Sequence, residues 1–176
     1  KHYFFKLKNF SDKLSEYLNG NQNLQKDVKK YVQNWIKEGL VDWDITRDIS
    51  WGVPVPIDGV SEKVFYGWFD NHLAYISSAI KFLNDNGKDG KTFWNESDIY
   101  HFIGKDIVYH HYLFLPAMRL GIGEEYKLPD YIPTRGHLTL QAKKISKSRN
   151  WYIGLKDFLQ IFPADYLRFY LVSINP

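Results

Sequence analysis

The sequence predicts an α/β fold in which a parallel sheet is flanked by helices. Three observations carry this. Short apolar runs at residues 64–69, 99–103 and 131–140 are separated by stretches whose apolar residues recur at helical spacing, and strands alternating with helices build parallel sheets through crossover connections. The runs are bounded by residues such as Lys63, Asp70 and Gly104, the pattern of strands buried on both faces. Hydrophobic residues make up 44% and charged residues 24% of 176 positions, which suits one globular domain or a large piece of one.

Each element has its own justification. Lys1 to Leu7 reads as a strand from its first residue. Phe10, Leu14, Tyr17 and Leu18 lie at helical spacing, and Asn19-Gly20 supplies a stop. A second amphipathic helix runs from about Leu24 to Glu38, with Val28, Val32, Trp35 and Ile36 on one face and Gly39 after it. Residues 41–58 turn extended until Pro54 and Pro56 end any ladder. After the run at 64–69, Leu73 to Leu83 is helical, and residues 84–90 form an exposed loop rich in Asn, Asp and Gly. Gly104 closes the run at 99–103; a helix from about Asp106 to Leu120 is stopped by Gly121 and Gly123. Helices near 155–161 and 163–173 follow the third run.

Composition excludes several classes. The formal charge of +3 is too small to announce nucleic-acid binding by itself. No uninterrupted apolar run approaches the ~18 residues of a membrane-spanning helix. With no cysteine, disulfides, Cys-ligated zinc and thiol catalysis are absent from this segment. No signal peptide is visible. Aromatic residues reach 18%, and such rings fill cores but also line pockets for organic ligands. The start without methionine reads as that of a fragment or processed product.

Ligands of α/β folds sit beyond the carboxyl ends of the strands, which places Phe69-Asp70, Gly104-Lys105-Asp106 and the stretch after Leu140 on the functional rim. Lys143 to Arg149 holds four cations, two serines and no acid, a composition suited to a polyphosphate but equally to a solvated surface loop. Asp106 can accept both hydroxyls of a ribose or cap the helix it opens; the residues alone leave both readings open. His110 and His111 are poor joint metal ligands, because adjacent helical residues diverge by about 100°, and His101 does not complete a site. No P-loop, nucleophile elbow or paired-carboxylate signature is present.

Taken in order, these pieces resemble the methionyl-tRNA synthetases, a family of class I aminoacyl-tRNA synthetases. Asp44-Ile45-Thr46-Arg47-Asp48 matches the family's D-I-[ST]-R-D, and Val64 to Asp70 with Tyr75-Ile76 resembles Y-V-W-[FL]-D-A-P-I-G-Y. Tyr100 to Tyr109, with His111 and Pro116-Ala117-Met118, resembles H-F-I-G-K-D-I-V-Y-F-H-x-L-F-W-P-A-M. Lys144-Ile145-Ser146-Lys147-Ser148-Arg149 is a KMSKS signature with Ile for Met, and Pro163 to Leu171 fits the family's continuation.

The resemblance implies the second half of the Rossmann-like catalytic fold of a class I synthetase. Residues 1–60 would end the connective insertion and return from it, residues 61–150 would form the catalytic half ending in the KMSKS-type loop, and residues 151–176 would begin the helical linker toward the anticodon-binding domain. The HIGH signature and any zinc-bearing insertion are expected upstream, with no metal in this segment, so the fragment alone is expected to be inactive. The implied activity is ATP-dependent activation of methionine, with Mg²⁺ accompanying ATP, and transfer to tRNA(Met) in the cytoplasm, away from any membrane. Lys147 and Lys144 would be catalytic; Gly104, Asp106, Leu138, Lys144, Ser146, Lys147 and Ser148 would bind ATP. Trp68, Tyr75, Ile107 and His111 would line the methionine pocket. The chain departs from the family at Asn71-His72 for Ala-Pro, His110 for Phe, Leu115 for Trp and Arg135 for His. These departures keep a second expectation in view, a synthetase-like paralogue or nucleotide- or partner-binding module that is noncatalytic or serves another amino acid.

Overall fold

In the computed structural model, which describes residues 1–60, 62–123 and 126–174, short strands alternate with helices. The domain boundary expected at 61 and the terminal residue 176 lie outside the described residues. The elements are β1 (Phe4–Phe5), α1 (Ser11–Gly20), α2 (Lys26–Glu38), β2 (Trp43–Asp44), β3 (Thr46–Arg47), β4 (Val64–Phe65), α3 (Gly67–Asp70) and α4 (Ala74–Asp85). They continue with α5 (Gly90–Glu96), β5 (Ile103–Gly104), α6 (Leu115–Gly121), β6 (Thr134–Arg135), β7 (Thr139–Leu140), β8 (Lys143–Lys144), α7 (Leu155–Ile161) and α8 (Ala164–Ser173).

The main core forms where α1 and α2 meet the helix that leads into α6. Leu14 and Leu18 on α1, Val32 on α2, and Tyr112, Leu113 and Ala117 pack with Leu7, Ile103 and Ile132, all buried. The spacing of Leu14 and Leu18 at i, i+4 aligns them on one face. Tyr17 reaches across to donate to the Pro129 carbonyl at 2.7 Å, and Asn21 donates to the carbonyls of Pro129 and Asp130. Burial raises the Tyr17 hydroxyl well above its ordinary value, so it stays a donor. A smaller cluster of Ile76, Trp94 and Ile99 lies under α4 and α5.

The second and third expected strands are parallel neighbours. β5 pairs with β6 through Ile103↔Thr134 and Gly104↔Arg135, and the pairing continues back to a parallel bridge between Tyr100 and Tyr131. The first expected strand requires correction. Of residues 64–69 only Val64–Phe65 forms a strand, and β4 runs antiparallel to β3, with Thr46 opposite Phe65. Gly67 then opens the short helix α3, and the Phe69 amide donates to the Tyr66 carbonyl at 2.7 Å. The apolar composition of the run had signalled burial, but burial does not separate strand from helix; Gly67 ended the extended segment. Phe69-Asp70 therefore does not lie on the rim of the parallel pair.

Two smaller differences have local causes. The expected loop at 84–90 ends one residue into α5, because Asp89 caps it: its carboxylate accepts from the amides of Lys91 and Thr92, both at 3.1 Å. The expected helix from Asp106 is present but irregular. It starts as a 3₁₀ turn at Lys105–Ile107 and carries a π-helical turn at His110–Phe114 before α6.

Candidate active site

The carboxyl end of the parallel pair is open. A Cβ placed on Gly104 would meet only the Asp106 carboxylate, at 4.0 Å, and one placed on Gly136 would meet nothing. Backbone at both positions is therefore accessible to a ligand. Asp106, on the 3₁₀ turn directly after β5, pairs through Oδ1 with Nε2 of His137 at 2.8 Å. Both side chains are substantially solvent-exposed, so the contact positions them more than it stabilises the fold. It also joins the end of β5 to the segment carrying Leu138, which is partly exposed. His137 was not among the residues singled out from the sequence.

The lysine-rich segment is a hairpin followed by a tight turn. β7 and β8 pair antiparallel, Thr139↔Lys144 and Leu140↔Lys143, around Gln141 and Ala142, whose φ angles of 50° and 60° place both in the left-handed region. Two successive residues of that kind match the right-handed twist of hairpin strands. Beyond β8, Ser146 and Trp151 exchange backbone hydrogen bonds at 2.9 Å, and the Asn150 amide donates to the Lys147 carbonyl at 3.0 Å. Lys147 thus opens an exposed turn whose tip is Ser148-Arg149. Ser146 and Ser148 share a hydroxyl contact at 3.1 Å. The Trp151 indole N–H donates to the Leu140 carbonyl, and the Lys143 ammonium lies over its ring.

A separate aromatic and histidine cluster lies along the irregular helix after Asp106. His111 donates from Nδ1 to the Ile107 carbonyl at 3.0 Å, which leaves Nε2 to accept from the Tyr75 hydroxyl at 3.2 Å. This assigns the His111 tautomer from its partners. His101 packs edge-on against Tyr75 at 4.8 Å and against His111 at 5.5 Å. Ile107 is half-buried against the main core. His72 stands between His110 and His111, with ring centroids 5.1 and 5.6 Å away. Trp68 lies 4.8 Å from the His110 ring.

Electrostatics set this cluster apart from the lysine turn. Burial holds His110 and His111 below the ordinary histidine value. Burial, then the neighbouring histidines, pushes His72 down to about 3. Burial, then Arg119 and His111, pushes His101 to about 3. The rings are neutral near pH 7. Both His111 nitrogens are engaged, and no group of three or more potential ligands among the described residues is disposed to hold an ion.

The structure therefore unites Gly104, Asp106 and the approach to Leu138 at the open end of β5 and β6. It unites Trp68, Tyr75 and His111 in the cluster, one helical segment away. Lys144, Ser146, Lys147 and Ser148 share the hairpin and its turn, connected to Asp106 along the chain from His137. Trp43 was missed. It stacks on Phe114 at 3.7 Å and borders His72, His110, Tyr66 and Phe69; its place just before the D-I-T-R-D stretch was the available signal. Leu115 is fully buried, so its replacement of a Trp leaves no surface opening at that point. Arg135 donates to the carbonyls of Leu171 and Ile174 at 2.9 and 3.0 Å, tying the end of α8 to β6.

An open parallel edge with an aspartate at the first turn beyond it is the arrangement found at ligand sites of α/β folds. The family model described as tRNA synthetases class I (M) matches residues 1–176, and the chain belongs to that family. Among curated relatives, the methionine–tRNA ligase of Methanopyrus kandleri is 48% identical over 177 residues, covering 99% of this chain and 26% of the relative. That of Methanobrevibacter smithii is 46% identical over 174 residues with the same coverages. The chain thus spans about a quarter of the length of these relatives. Among solved structures, Mycobacterium tuberculosis methionyl-tRNA synthetase bound by methionyl-adenylate superposes with a TM-score of 0.81 at 29% identity, covering 97% of this chain and 32% of that one.

Proposed function

We propose that this chain is part of the catalytic domain of a methionine–tRNA ligase. In this reading residues 1–60 close the connective insertion, 61–150 form the catalytic half and 151–176 lead toward an anticodon-binding domain. The carrying observation is the separation of a neutral, largely buried aromatic–histidine cluster from an exposed cationic turn, with Asp106 at the open strand end. An amino acid with an apolar side chain and ATP need those two environments.

Trp68, Tyr75, Ile107 and His111 would line the methionine side chain; a neutral His111, fixed by Ile107 and Tyr75, adds a polar edge without a charge. Asp106 would accept the ribose hydroxyls, Gly104 would let the nucleoside approach, and the backbone at Leu138 would meet the adenine. ATP enters with Mg²⁺ as part of the substrate. A methionine carboxylate oxygen attacks the α-phosphorus, the bond to the bridging oxygen breaks, and pyrophosphate leaves with the electron pair. Lys147, with Lys144 and the hydroxyls of Ser146 and Ser148 beside it, would neutralise the phosphates as charge moves onto the leaving group. Such catalysis is positioning and electrostatics rather than proton transfer. The methionyl group then passes from AMP to the 3′-terminal adenosine of tRNA(Met). No described helix is long and apolar enough to cross a membrane, and a cytoplasmic setting accompanies the proposed role in protein synthesis.

The test is methionine-dependent ATP–pyrophosphate exchange by the full-length protein. Lys147→Ala should lower kcat by about 10²–10³-fold, the size of effect seen when one transition-state charge partner is removed, while methionine affinity changes little. Exchange by Lys147→Ala within about threefold of wild type would refute the role.

A further inference from the structure

Two buried or half-buried histidines stand against Trp68 without a role in the reading above. Nε2 of His72 and Nδ1 of His110 are 3.0 Å apart, a hydrogen bond between rings 38 positions apart in sequence. His72 is 1% exposed. The His110 ring faces the Trp68 indole at 4.8 Å with a 36° tilt, and His72 approaches the same indole at 5.9 Å. Trp43 backs both rings, at 6.4 Å from His72 and 5.8 Å from His110, and is itself held by Phe114. The bond joins the 3₁₀ turn Asn71–Leu73 to the π-helical turn His110–Phe114.

Trp68 needs such support. It is 39% exposed and lies between the histidine cluster and a cleft of about 900 Å³ that it lines with Arg47, Trp51, Tyr66 and Asp70. On the side away from that cleft the indole rests on the rings of His110 and His72. A lone half-buried His110 would keep several rotamers; one bonded to a fully buried partner keeps one. Both rings are neutral near pH 7, held there by burial, so one N–H donates and one nitrogen accepts without repulsion.

We propose that the His72–His110 hydrogen bond is a positioning device that fixes Trp68 as a wall of the amino-acid pocket and thereby sets how tightly an unbranched thioether side chain is held. This rests on the ligase reading of the same site. Neither histidine is a catalytic residue. Losing one ring leaves the other's nitrogen unpaired in a buried setting, whereas replacing both by apolar rings of similar shape restores a packed contact. The single and double variants must therefore be strongly non-additive.

The experiment is exchange kinetics on the full-length protein with His72→Phe, His110→Phe and the double variant. Each single variant should raise KM for methionine about tenfold or more, with kcat and KM for ATP within about twofold, and discrimination against leucine should fall. The double variant should return to within about threefold of wild type. Single variants with unchanged KM, a loss expressed in kcat, or a double variant as impaired as the product of the singles would each overturn the proposal. If His72→Phe does not fold, His110→Leu at the half-buried partner, which can neither donate nor accept, gives the same reading: a raised methionine KM supports it, an unchanged one overturns it. Wild-type protein without methionine-dependent exchange would sink the ligase reading, and this inference with it; active wild type with unaffected variants would sink only the inference.

Discussion

Acidification should destabilise this chain well before its carboxylates titrate. His72 and His101 are both pushed from 6.5 to about 3 in the folded protein. Their folded values lie below their unfolded values, so between pH 3 and 6.5 the unfolded chain binds more protons and stability rises with pH. The contribution is complete above the ordinary value and is lost progressively as pH falls. Each histidine costs about 1.4 kcal/mol per pH unit below that value, so at pH 5.5 the two remove roughly 3 kcal/mol relative to pH 7.5. His110 and His111 are shifted in the same direction and add to the slope. Against a net stability of about 5–15 kcal/mol for a domain, that loss is large.

Urea denaturation of the 176-residue chain, followed by tryptophan fluorescence at pH 7.5, 6.5 and 5.5, reads the effect directly. With an m-value of about 2 kcal/mol/M, the midpoint should fall by about 1–1.5 M between the extremes. Aspartates and glutamates, with ordinary values near 4, contribute little in that window. His101→Phe should remove part of the slope while keeping the ring contact with Tyr75. A midpoint constant to about 0.3 M across the range would refute the claim that the cluster is buried and neutral.

Two further outcomes follow from local geometry. Asp89→Ala removes the acceptor for the Lys91 and Thr92 amides and should lower Tm by about 2–4 °C, measured by circular dichroism. Ala142→Gly relieves a side chain at a φ of 60° and should stabilise the hairpin by up to about 1 kcal/mol in the same denaturation assay; destabilisation would contradict the left-handed turn.

What was legible in the sequence divides along a physical line. Pairing of 103–104 with 134–135 was readable because apolar runs with Gly or Asp beyond them mark strand ends. The helix ends at Gly20 and Glu38 followed from apolar spacing and stop signals. The error at 64–69 shows the limit of that logic: Trp68 and Phe69 are apolar in a strand and in α3 alike, and only the backbone freedom at Gly67 hinted at the turn. The cap at Asp89 was written in the sequence but was read as loop, because Asn84 to Gly90 is rich in turn residues. His72 against His110, and Trp43 against both, had no local signal at all. Contacts between positions far apart arise from how elements pack, and periodicity does not encode which face meets which.

That same packing explains why the two halves of the candidate site differ in character. Lys143, Lys144, Lys147 and Arg149 occupy a hairpin and turn that solvent reaches, so their charges cost little to maintain and remain available to a phosphate chain. The four rings of His72, His101, His110 and His111 crowd into a buried space that also feels the Arg119 guanidinium, itself fully buried and lowered to about 10 by burial. Charging two neighbouring rings would place like charges about 5–6 Å apart in a poorly solvated setting. Neutrality lets each ring serve as a hydrogen-bonding flat surface, as His111 does between Ile107 and Tyr75. In the proposed reading, surroundings of this kind favour a neutral, polarizable side chain over a charged one. Exposure of the turn and burial of the rings thus account for why one carries charge and the other excludes it.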